Sequence, residues 1–212
     1  MARGRFITFE GGEGAGKSTQ LRRLAARLQA EGHEVVATRE PGGSAGAESI
    51  RDLVLNGSAD RWSPITETLL MYAARRDHIE RVIRPALDRG AWVVCDRFAD
   101  STRAYQGAAG GTDNRLIAAL ETHILEDARP DLTLVFDLPP QIGLARAHAR
   151  AGAEMRFESK GEAFHHRLRD AFLAIARDEP QRCRLIDATA AIDDVEAAVW
   201  DAVTERLAER HG

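Results

Sequence analysis

The residues whose types and spacing most clearly indicate a chemistry lie at positions 11 to 18, where the sequence reads Gly-Gly-Glu-Gly-Ala-Gly-Lys-Ser. This run fits the pattern G-x-x-x-x-G-K-[ST], in which backbone N–H groups of a glycine-rich turn surround phosphate oxygens and the next helix directs its positive end at them. Lys17 is one of only two lysines among the 29 Lys and Arg residues of the chain. A compact ammonium group fits inside such a turn better than a planar guanidinium, so we expect Lys17 to contact the β- and γ-phosphates of a nucleotide. The predicted nucleotide-binding residues are Gly11, Gly12, Glu13, Gly14, Ala15, Gly16, Lys17, Ser18 and Thr19.

A hydroxyl group and a carboxylate are candidates for holding Mg²⁺. Ser18 ends the glycine pattern, where a hydroxyl group contacts the metal, and Asp96 follows the apolar run 91–95. If that run is a strand of the same sheet, Asp96 lies at the same edge as the glycine loop and can hold a magnesium-bound water. Arg97 comes next and can bind a phosphate through two parallel hydrogen bonds. The alternative is that Asp96 and Arg97 form an ordinary ion pair at a strand end. The many polar and aromatic side chains in the following loop, 96–107, favour a binding site over this alternative.

Apolar runs alternate with helical patterns along the chain. Alternating strands and helices predict an α/β fold with a five-stranded parallel sheet and helices on both faces. Ligands bind such sheets at the carboxyl ends of the strands. The predicted strands are 5–10, 34–38, 91–95, 132–136 and 183–186, and the predicted helices are 18–31, 47–55, 66–88 with a possible kink at Pro85, 113–126, 141–150, 163–177 and 194–210.

Composition restricts the classes of function. A length of 212 residues predicts a single domain spanning 1–212. The net charge of -4 argues against bulk nucleic-acid binding, which needs a basic face. We expect no membrane segment and no signal peptide, and therefore a cytoplasmic protein. Cys95 and Cys183 do not suggest a disulfide framework.

Several further motifs, in order and spacing, resemble the thymidylate kinases. The resemblance covers about residues 5 to 188. It implies a P-loop NTPase fold and an enzyme that transfers the γ-phosphoryl group of ATP to dTMP. It also implies Mg²⁺ as the cofactor and a homodimeric assembly. The matching stretches are Phe9-Glu10-Gly11, the glycine loop, Thr38-Arg39-Glu40-Pro41-Gly42-Gly43, Tyr72-Ala73-Ala74-Arg75, Asp96-Arg97-Phe98-Ala99-Asp100-Ser101, Ala104-Tyr105-Gln106-Gly107 and Pro130-Asp131-Leu132-Thr133-Leu134.

The resemblance also implies roles in binding dTMP. Glu13 corresponds to the contact with the deoxyribose 3′-hydroxyl, and Arg75 to the arginine that binds a thymine carbonyl. Arg97, with Arg39 nearby, corresponds to the residue that holds the monophosphate. Ser101 and Gln106 match base-side or sugar-side contacts, and Tyr105 matches the residue that crowds the 2′ position.

Two departures from the family pattern are visible. The aromatic residue that stacks on thymine is replaced by Met71, whose thioether has a less defined geometry against a ring. The variable positions of the glycine loop carry no arginine, so the resemblance assigns the remaining catalytic charge to a lid at about 146–160. The predicted catalytic residues are Lys17, Arg97, Arg146, Arg150 and Arg156.

Other residues near the lid receive no catalytic role. His148 occupies the position of one familiar lid arginine. Lys160 is expected to be a surface charge, and His165 and His166 are expected to be surface or packing residues because they lack metal-ligand spacing.

Other functions remain open from the sequence. The nearest alternative is another P-loop nucleoside monophosphate or deoxynucleoside kinase, which Met71 permits and which Arg75, Tyr105 and Gln106 disfavour. A GTP-binding regulatory protein needs Asn-Lys-x-Asp, and neither lysine lies in that context. An ATP-driven transport subunit needs a Leu-Ser-Gly-Gly-Gln stretch, which the sequence lacks.

Overall fold

Five parallel strands form the centre of the fold. A computed structural model of the chain describes residues 3–58, 60–149, 157 and 160–208. The strands cross the sheet in the order β2-β3-β1-β4-β5, and every neighbouring pair is parallel, which confirms the predicted sheet. Because β1 is central, the glycine loop lies between the carboxyl ends of β3 and β4. The strands are β1 (Phe6–Gly11), β2 (Val35–Arg39), β3 (Trp92–Asp96), β4 (Leu132–Asp137) and β5 (Cys183–Asp187).

Helices cover both faces of this sheet, as predicted. Successive strand residues point to opposite faces, and so Ile7 packs in a cluster with Leu28 and Val199, whereas Phe6 packs with Ile83 on the other side. Within the described residues, no helix is long and apolar enough to cross a membrane. The helices are α1 (Lys17–Ala30), α2 (Ala45–Leu55), α3 (Pro64–His78), α4 (Arg84–Asp88), α5 (Ala99–Thr102), α6 (Asn114–Leu125), α7 (Pro140–His148), α8 (Glu162–Asp178) and α9 (Ile192–Ala208).

The long helix predicted over 66–88 contains a change of winding. A π-helical segment, Ile79–Ile83, connects α3 to α4. The N–H of Arg84 donates to the carbonyl of Ile79, five residues earlier. Pro85 follows, which has no N–H and whose ring conflicts with the carbonyl four residues before it. A wider turn before Pro85 accommodates this conflict without ending the helix.

Residues 96–107 are largely helical, and the prediction of a loop there is wrong. α5 spans Ala99–Thr102, and a π-helical segment spans Arg103–Ala108. The start of α5 is held by a carboxylate from β1, because Glu10 accepts hydrogen bonds from the N–H groups of Phe98 and Ser101. This stabilisation comes from a residue about 90 positions away, and the local sequence therefore gives no sign of it.

The predicted lid, 146–160, lies only partly in the described chain. Arg146 and His148 are in the last turn of α7, and α8 begins at Glu162. Arg150 and Arg156 lie outside the described residues.

Candidate active site

The glycine loop folds around the ammonium group of Lys17. Gly16 has φ 85°, a left-handed conformation that favours glycine, and α1 begins at the next residue. The Nζ atom of Lys17 donates to the carbonyl of Gly12 at 2.7 Å and to that of Gly11 at 3.1 Å. Burial and the nearby guanidinium of Arg97 lower the pKa of Lys17 to about 8. The two buried cations, Lys17 after the glycine loop and Arg97 after β3, repel each other, and an anion such as a phosphate would relieve that repulsion.

Ser18 and Asp96, the predicted magnesium residues, are in direct contact. The Ser18 hydroxyl donates to Oδ2 of Asp96 at 2.5 Å. Asp96 is the last residue of β3 and Ser18 lies in the first turn of α1, so both face the carboxyl edge of the sheet. Hydroxyl and carboxylate oxygens are the hard donors that Mg²⁺ prefers, and this pair therefore fits the predicted metal.

Glu13 of the glycine loop connects that loop to the segment after β3. Its Oε1 accepts a hydrogen bond from the Tyr105 hydroxyl at 2.6 Å and one from Nη2 of Arg97 at 3.0 Å. The Arg97 guanidinium also lies 4.9 Å from the centre of the Tyr105 ring. Although burial opposes its charge, Arg97, Lys17 and the Tyr105 hydroxyl together lower the pKa of Glu13 to about 2. Glu13 is therefore ionised at neutral pH and can accept a further hydrogen bond from a ligand.

The backbone of Arg97 adopts a conformation that is uncommon for a residue with a side chain. Its φ is 68°, in the left-handed region that disfavours a Cβ atom. Glu10 holds the next residues in place: it accepts from Phe98 N at 2.7 Å, from Ser101 N at 3.2 Å and from the Ser101 hydroxyl at 2.6 Å. Burial, and then the charge of Asp100, raise the pKa of Glu10 to about 7. Glu10 therefore positions Arg97 through the backbone.

A cavity beside the glycine loop gathers most of the predicted acceptor residues, and we call it the Arg75 cavity. Its volume is about 110 Å³. Seven of the eight residues predicted to bind dTMP line it: Glu13, Met71, Arg75, Arg97, Ser101, Tyr105 and Gln106. They come from the glycine loop, α3, and the helical segment after β3, and only the packing of these elements brings them together.

Arg75 is held rigidly in the wall of this cavity. Its Nε donates to Oε2 of Glu40 at 2.7 Å, and its Nη2 donates to the carbonyl of Phe98 and the hydroxyl of Thr102. Within the described part of the chain, the buried Nη1 atom has no hydrogen-bond partner. An unpaired buried donor costs about 1–3 kcal/mol, and we therefore expect Nη1 of Arg75 to donate to an acceptor atom of a bound ligand.

A larger cavity, about 570 Å³, lies between α6 and α8 on the other side of α5. It shares Phe98 with the Arg75 cavity but contains no residue of the glycine loop. Asp100, Arg103, Glu179 and Arg182 on its wall form ion pairs with one another. The predicted chemistry therefore belongs to the smaller cavity.

Comparisons with known proteins agree with this geometry. The family model described as thymidylate kinase matches residues 9–199. A thymidylate kinase from Caulobacter vibrioides is 68% identical over 207 residues, covering 98% of this chain and 99% of that protein. One from Bradyrhizobium sp. is 58% identical and covers 97% of this chain and 92% of that protein. The chain belongs to the thymidylate kinase family.

A solved structure of the same family supports the fold. The crystal structure of thymidylate kinase from Ehrlichia chaffeensis matches with a TM-score of 0.76 and 34% sequence identity, over 95% of this chain and 99% of that chain. The expected P-loop NTPase fold is therefore confirmed.

Some residues that the family pattern assigned to the site lie elsewhere or are already hydrogen-bonded. Arg39, the last residue of β2, does not line the Arg75 cavity, and its half-exposed guanidinium pairs with Glu48 of α2 at 3.1 Å. The Ser101 hydroxyl donates its hydrogen bond to Oε2 of Glu10. Arg146 donates to the carbonyl of Ala188 at 3.3 Å, near the end of β5.

The cavity wall also contains residues that the sequence did not single out. Glu40, Arg51 and Phe157 line it, and Phe157 contacts the Tyr105 ring edge-on at 5.5 Å between centroids. Glu40 belongs to a motif that the sequence analysis identified. Arg51 and Phe157 lie outside every such motif, and the sequence alone shows them as an ordinary charged residue and an ordinary apolar residue. Their position depends on the packing of α2 against α3, which places Arg51, and on the contact of Phe157 with Tyr105.

Lys160 and His165 also have clear environments. The ammonium of Lys160 lies 5.8 Å from the ring of Phe157 and 5.0 Å from that of Phe164, so the expectation of a simple surface charge is incomplete. His165 is buried with its ring against Phe164, as expected of a packing residue.

Proposed function

We propose that the chain transfers the γ-phosphoryl group of ATP to dTMP and produces dTDP and ADP. The observation that carries the proposal is the hydrogen-bonded contact of Glu13 with Arg97 and Tyr105. Through this contact the glycine loop, which binds the donor, forms one wall of the Arg75 cavity, which binds the acceptor. Transfer between two phosphates needs such proximity. Membership of the thymidylate kinase family supports dTMP as the acceptor.

The donor half of the site consists of the glycine loop and the start of α1. Backbone N–H groups of the loop surround the phosphates, and Lys17 exchanges its carbonyl partners, Gly11 and Gly12, for phosphate oxygens. Ser18 and Asp96 are the residues that would hold Mg²⁺. When bound, Mg²⁺ would neutralise negative charge on the phosphates of the donor.

The acceptor half binds the base, sugar and phosphate of dTMP with different residues. Arg75 donates its unpaired Nη1 to a thymine carbonyl. Met71 lies against the base, and Glu13 accepts the 3′-hydroxyl. Tyr105 occupies the space at the 2′ position, and Arg97 holds the monophosphate.

The transfer requires no covalent enzyme intermediate. An oxygen of the dTMP phosphate forms a bond to the γ-phosphorus as the bond to the β,γ-bridging oxygen breaks, and that electron pair remains on ADP. The developing charge spreads over the transferred group, and the protein contributes by positioning and by placing cations. We assign this role to Lys17, Arg97 and the lid arginines Arg146, Arg150 and Arg156.

A coupled assay of ADP release tests the proposal. We expect dTMP to be the best acceptor in a panel with dUMP, dCMP, dGMP and UMP, with ATP preferred to GTP and with a requirement for Mg²⁺. Lys17→Ala should reduce turnover by about 100-fold or more without changing the circular dichroism, because it removes charge from the transferring group. A different preferred monophosphate would favour the alternative of another nucleoside monophosphate kinase. Near-normal turnover of Lys17→Ala would contradict the assignment of the loop.

We also infer that the chain acts as a homodimer in the cytoplasm. Three large apolar side chains are substantially exposed on the adjacent helices α2 and α3: Leu53, Ile65 and Leu69. Ile65 and Leu69 are four residues apart and therefore share a face of α3. Light scattering coupled to gel filtration should give the mass of a dimer for the wild type and a shift towards monomer for Leu69→Glu. A monomeric wild type would contradict this inference.

A further inference from the structure

Glu67 contacts a residue of the Arg75 cavity but is not one of its lining residues. It lies in the first turn of α3, and its Oε1 accepts a hydrogen bond from Nε2 of Gln106 at 2.9 Å. Both side chains are buried, with relative exposures of 7% for Glu67 and 2% for Gln106. The pair joins α3 to the π-helical segment Arg103–Ala108, two elements that contribute to the cavity wall.

The chemistry of the pair determines which end of the Gln106 amide faces Glu67. An ionised carboxylate can only accept hydrogen bonds, whereas a glutamine amide has a donating and an accepting end. The –NH₂ group of Gln106 must therefore point to Glu67, and its Oε1 atom is left for the cavity that Gln106 lines. The reverse orientation would place two oxygens against each other.

Arg75 supplies the complementary group. Its Nε and Nη2 are held by Glu40, Phe98 and Thr102, and its Nη1 is buried without a partner among the described residues. The wall thus presents one fixed donor, from Arg75, and one fixed acceptor, from Gln106. A base edge with a carbonyl oxygen beside a ring N–H, as in thymine or uracil, matches this pattern. Cytosine presents an amino group and an unprotonated ring nitrogen, which is the inverse pattern.

We propose that Glu67 is a positioning residue that sets base selectivity by fixing the orientation of the Gln106 amide. This inference rests on the proposed function, because it requires the base of a nucleoside monophosphate to occupy the Arg75 cavity. Glu67 itself does not line that cavity, and it acts on the base through Gln106. If the amide were free to rotate, the wall could present a donor instead of an acceptor and would lose its discrimination against cytosine.

Three variants test the inference: Glu67→Gln, Gln106→Glu, and the double variant that carries both. In Glu67→Gln the new amide can accept or donate, and so Gln106 can present either end of its amide to the cavity. The ratio of kcat/KM for dTMP to that for dCMP should therefore fall about tenfold or more. A tenfold change corresponds to a hydrogen bond of about 1.4 kcal/mol. In Gln106→Glu two carboxylates face each other, and kcat/KM for dTMP should fall. In the double variant the amide at position 67 donates to the carboxylate at position 106, and the second oxygen of that carboxylate faces the cavity as an acceptor. The ratio of kcat/KM for dTMP to that for dCMP should therefore return to within about threefold of the wild-type ratio.

The dTMP-to-dCMP ratio distinguishes positioning from a merely structural role, because a loss of stability lowers kcat/KM for both monophosphates and leaves their ratio unchanged. Glu121→Gln is the matched control: Glu121 is a carboxylate near Tyr72 that does not line the Arg75 cavity, and its replacement should leave the ratio unchanged. Thermal unfolding of each variant confirms that it is folded. An unchanged ratio in Glu67→Gln, or a folded double variant without rescue, would overturn the inference. If the wild type itself failed to phosphorylate dTMP, the proposed function would fail instead.

Discussion

Replacing Glu10 by glutamine is expected to stabilise the protein at neutral pH and to have little effect at acidic pH. Glu10 is fully buried, and its carboxyl group accepts three hydrogen bonds from Phe98 and Ser101. A glutamine can keep all three contacts: its Oε1 accepts from the two backbone N–H groups, and its Nε2 donates to the Ser101 hydroxyl, which can also accept. The substitution therefore removes the ionisation and retains the hydrogen bonds.

The magnitude follows from the pKa of Glu10. Burial and the charge of Asp100 raise this pKa from 4.5 to about 7. Below pH 4.5 the carboxyl group is protonated in the folded and unfolded states; between 4.5 and about 7 the unfolded chain releases the proton while the folded chain retains it. The stability contributed by Glu10 is thus present at low pH and is lost as the pH rises through about 7. At about 1.4 kcal/mol per pKa unit, the loss amounts to about 3.5 kcal/mol in total.

Urea unfolding followed by tryptophan fluorescence at about pH 5, 6, 7 and 8 measures this effect. The free energy of unfolding of Glu10→Gln, minus that of the wild type, should grow by about 2.5 kcal/mol between pH 5 and 8, because part of the loss has already occurred at pH 5. Glu205→Gln, which removes the same formal charge from an exposed position, serves as the control and should show no such trend. A difference for Glu10→Gln that stays constant from pH 5 to 8 would refute the reasoning.

Three further predictions concern substrate selection, the lid and the thiols. The ring of Tyr105 at the 2′ position should make dTMP a better substrate than UMP, and equal kcat/KM values for the two would refute its role. Arg150→Ala should lower kcat more than it raises the KM for dTMP, since a lid cation acts on the transferring phosphoryl group; an effect on KM alone would count against a catalytic lid. Burial raises the pKa of both thiols, Cys95 and Cys183, and so Ellman's reagent at about pH 8 should label them only in urea; rapid labelling of the folded protein would contradict their buried position.

The secondary structure was largely predictable because it depends on neighbouring residues. The apolar run at 91–95 predicted β3, and the observed strand, Trp92–Asp96, differs by one residue at each end. The helix predicted over 163–177 appears as Glu162–Asp178 for the same reason. The prediction of a loop at 96–107 was wrong, because the helical conformation of this segment depends on the distant carboxyl group of Glu10 rather than on its own periodicity.

Residues of the candidate site could be named from the sequence when they belong to a family motif, and the other lining residues could not. The family pattern assigned Arg75 to the base of dTMP, which stays a prediction; Arg75 lines a cavity, but its hydrogen bond to Glu40 and its unpaired Nη1 could not be inferred from spacing. Arg39 was expected near the monophosphate, which stays a prediction; its guanidinium pairs with Glu48, and it is not a lining residue of the Arg75 cavity. The direction of a side chain at a strand end depends on its neighbours in space, which the motif does not specify.

The amino-acid sequence by itself predicted a nucleotide-binding loop at residues 11–18, the alternation of strands with helices, and the family that the chain resembles. These conclusions rest on residues close together along the chain. Tertiary structure alone decided that Glu13 meets Arg97 and Tyr105, which are 84 and 92 positions away, and that Glu67 meets Gln106. Such contacts depend on the strand order and on helix packing, which arise from burial summed over the whole chain and not from any local pattern.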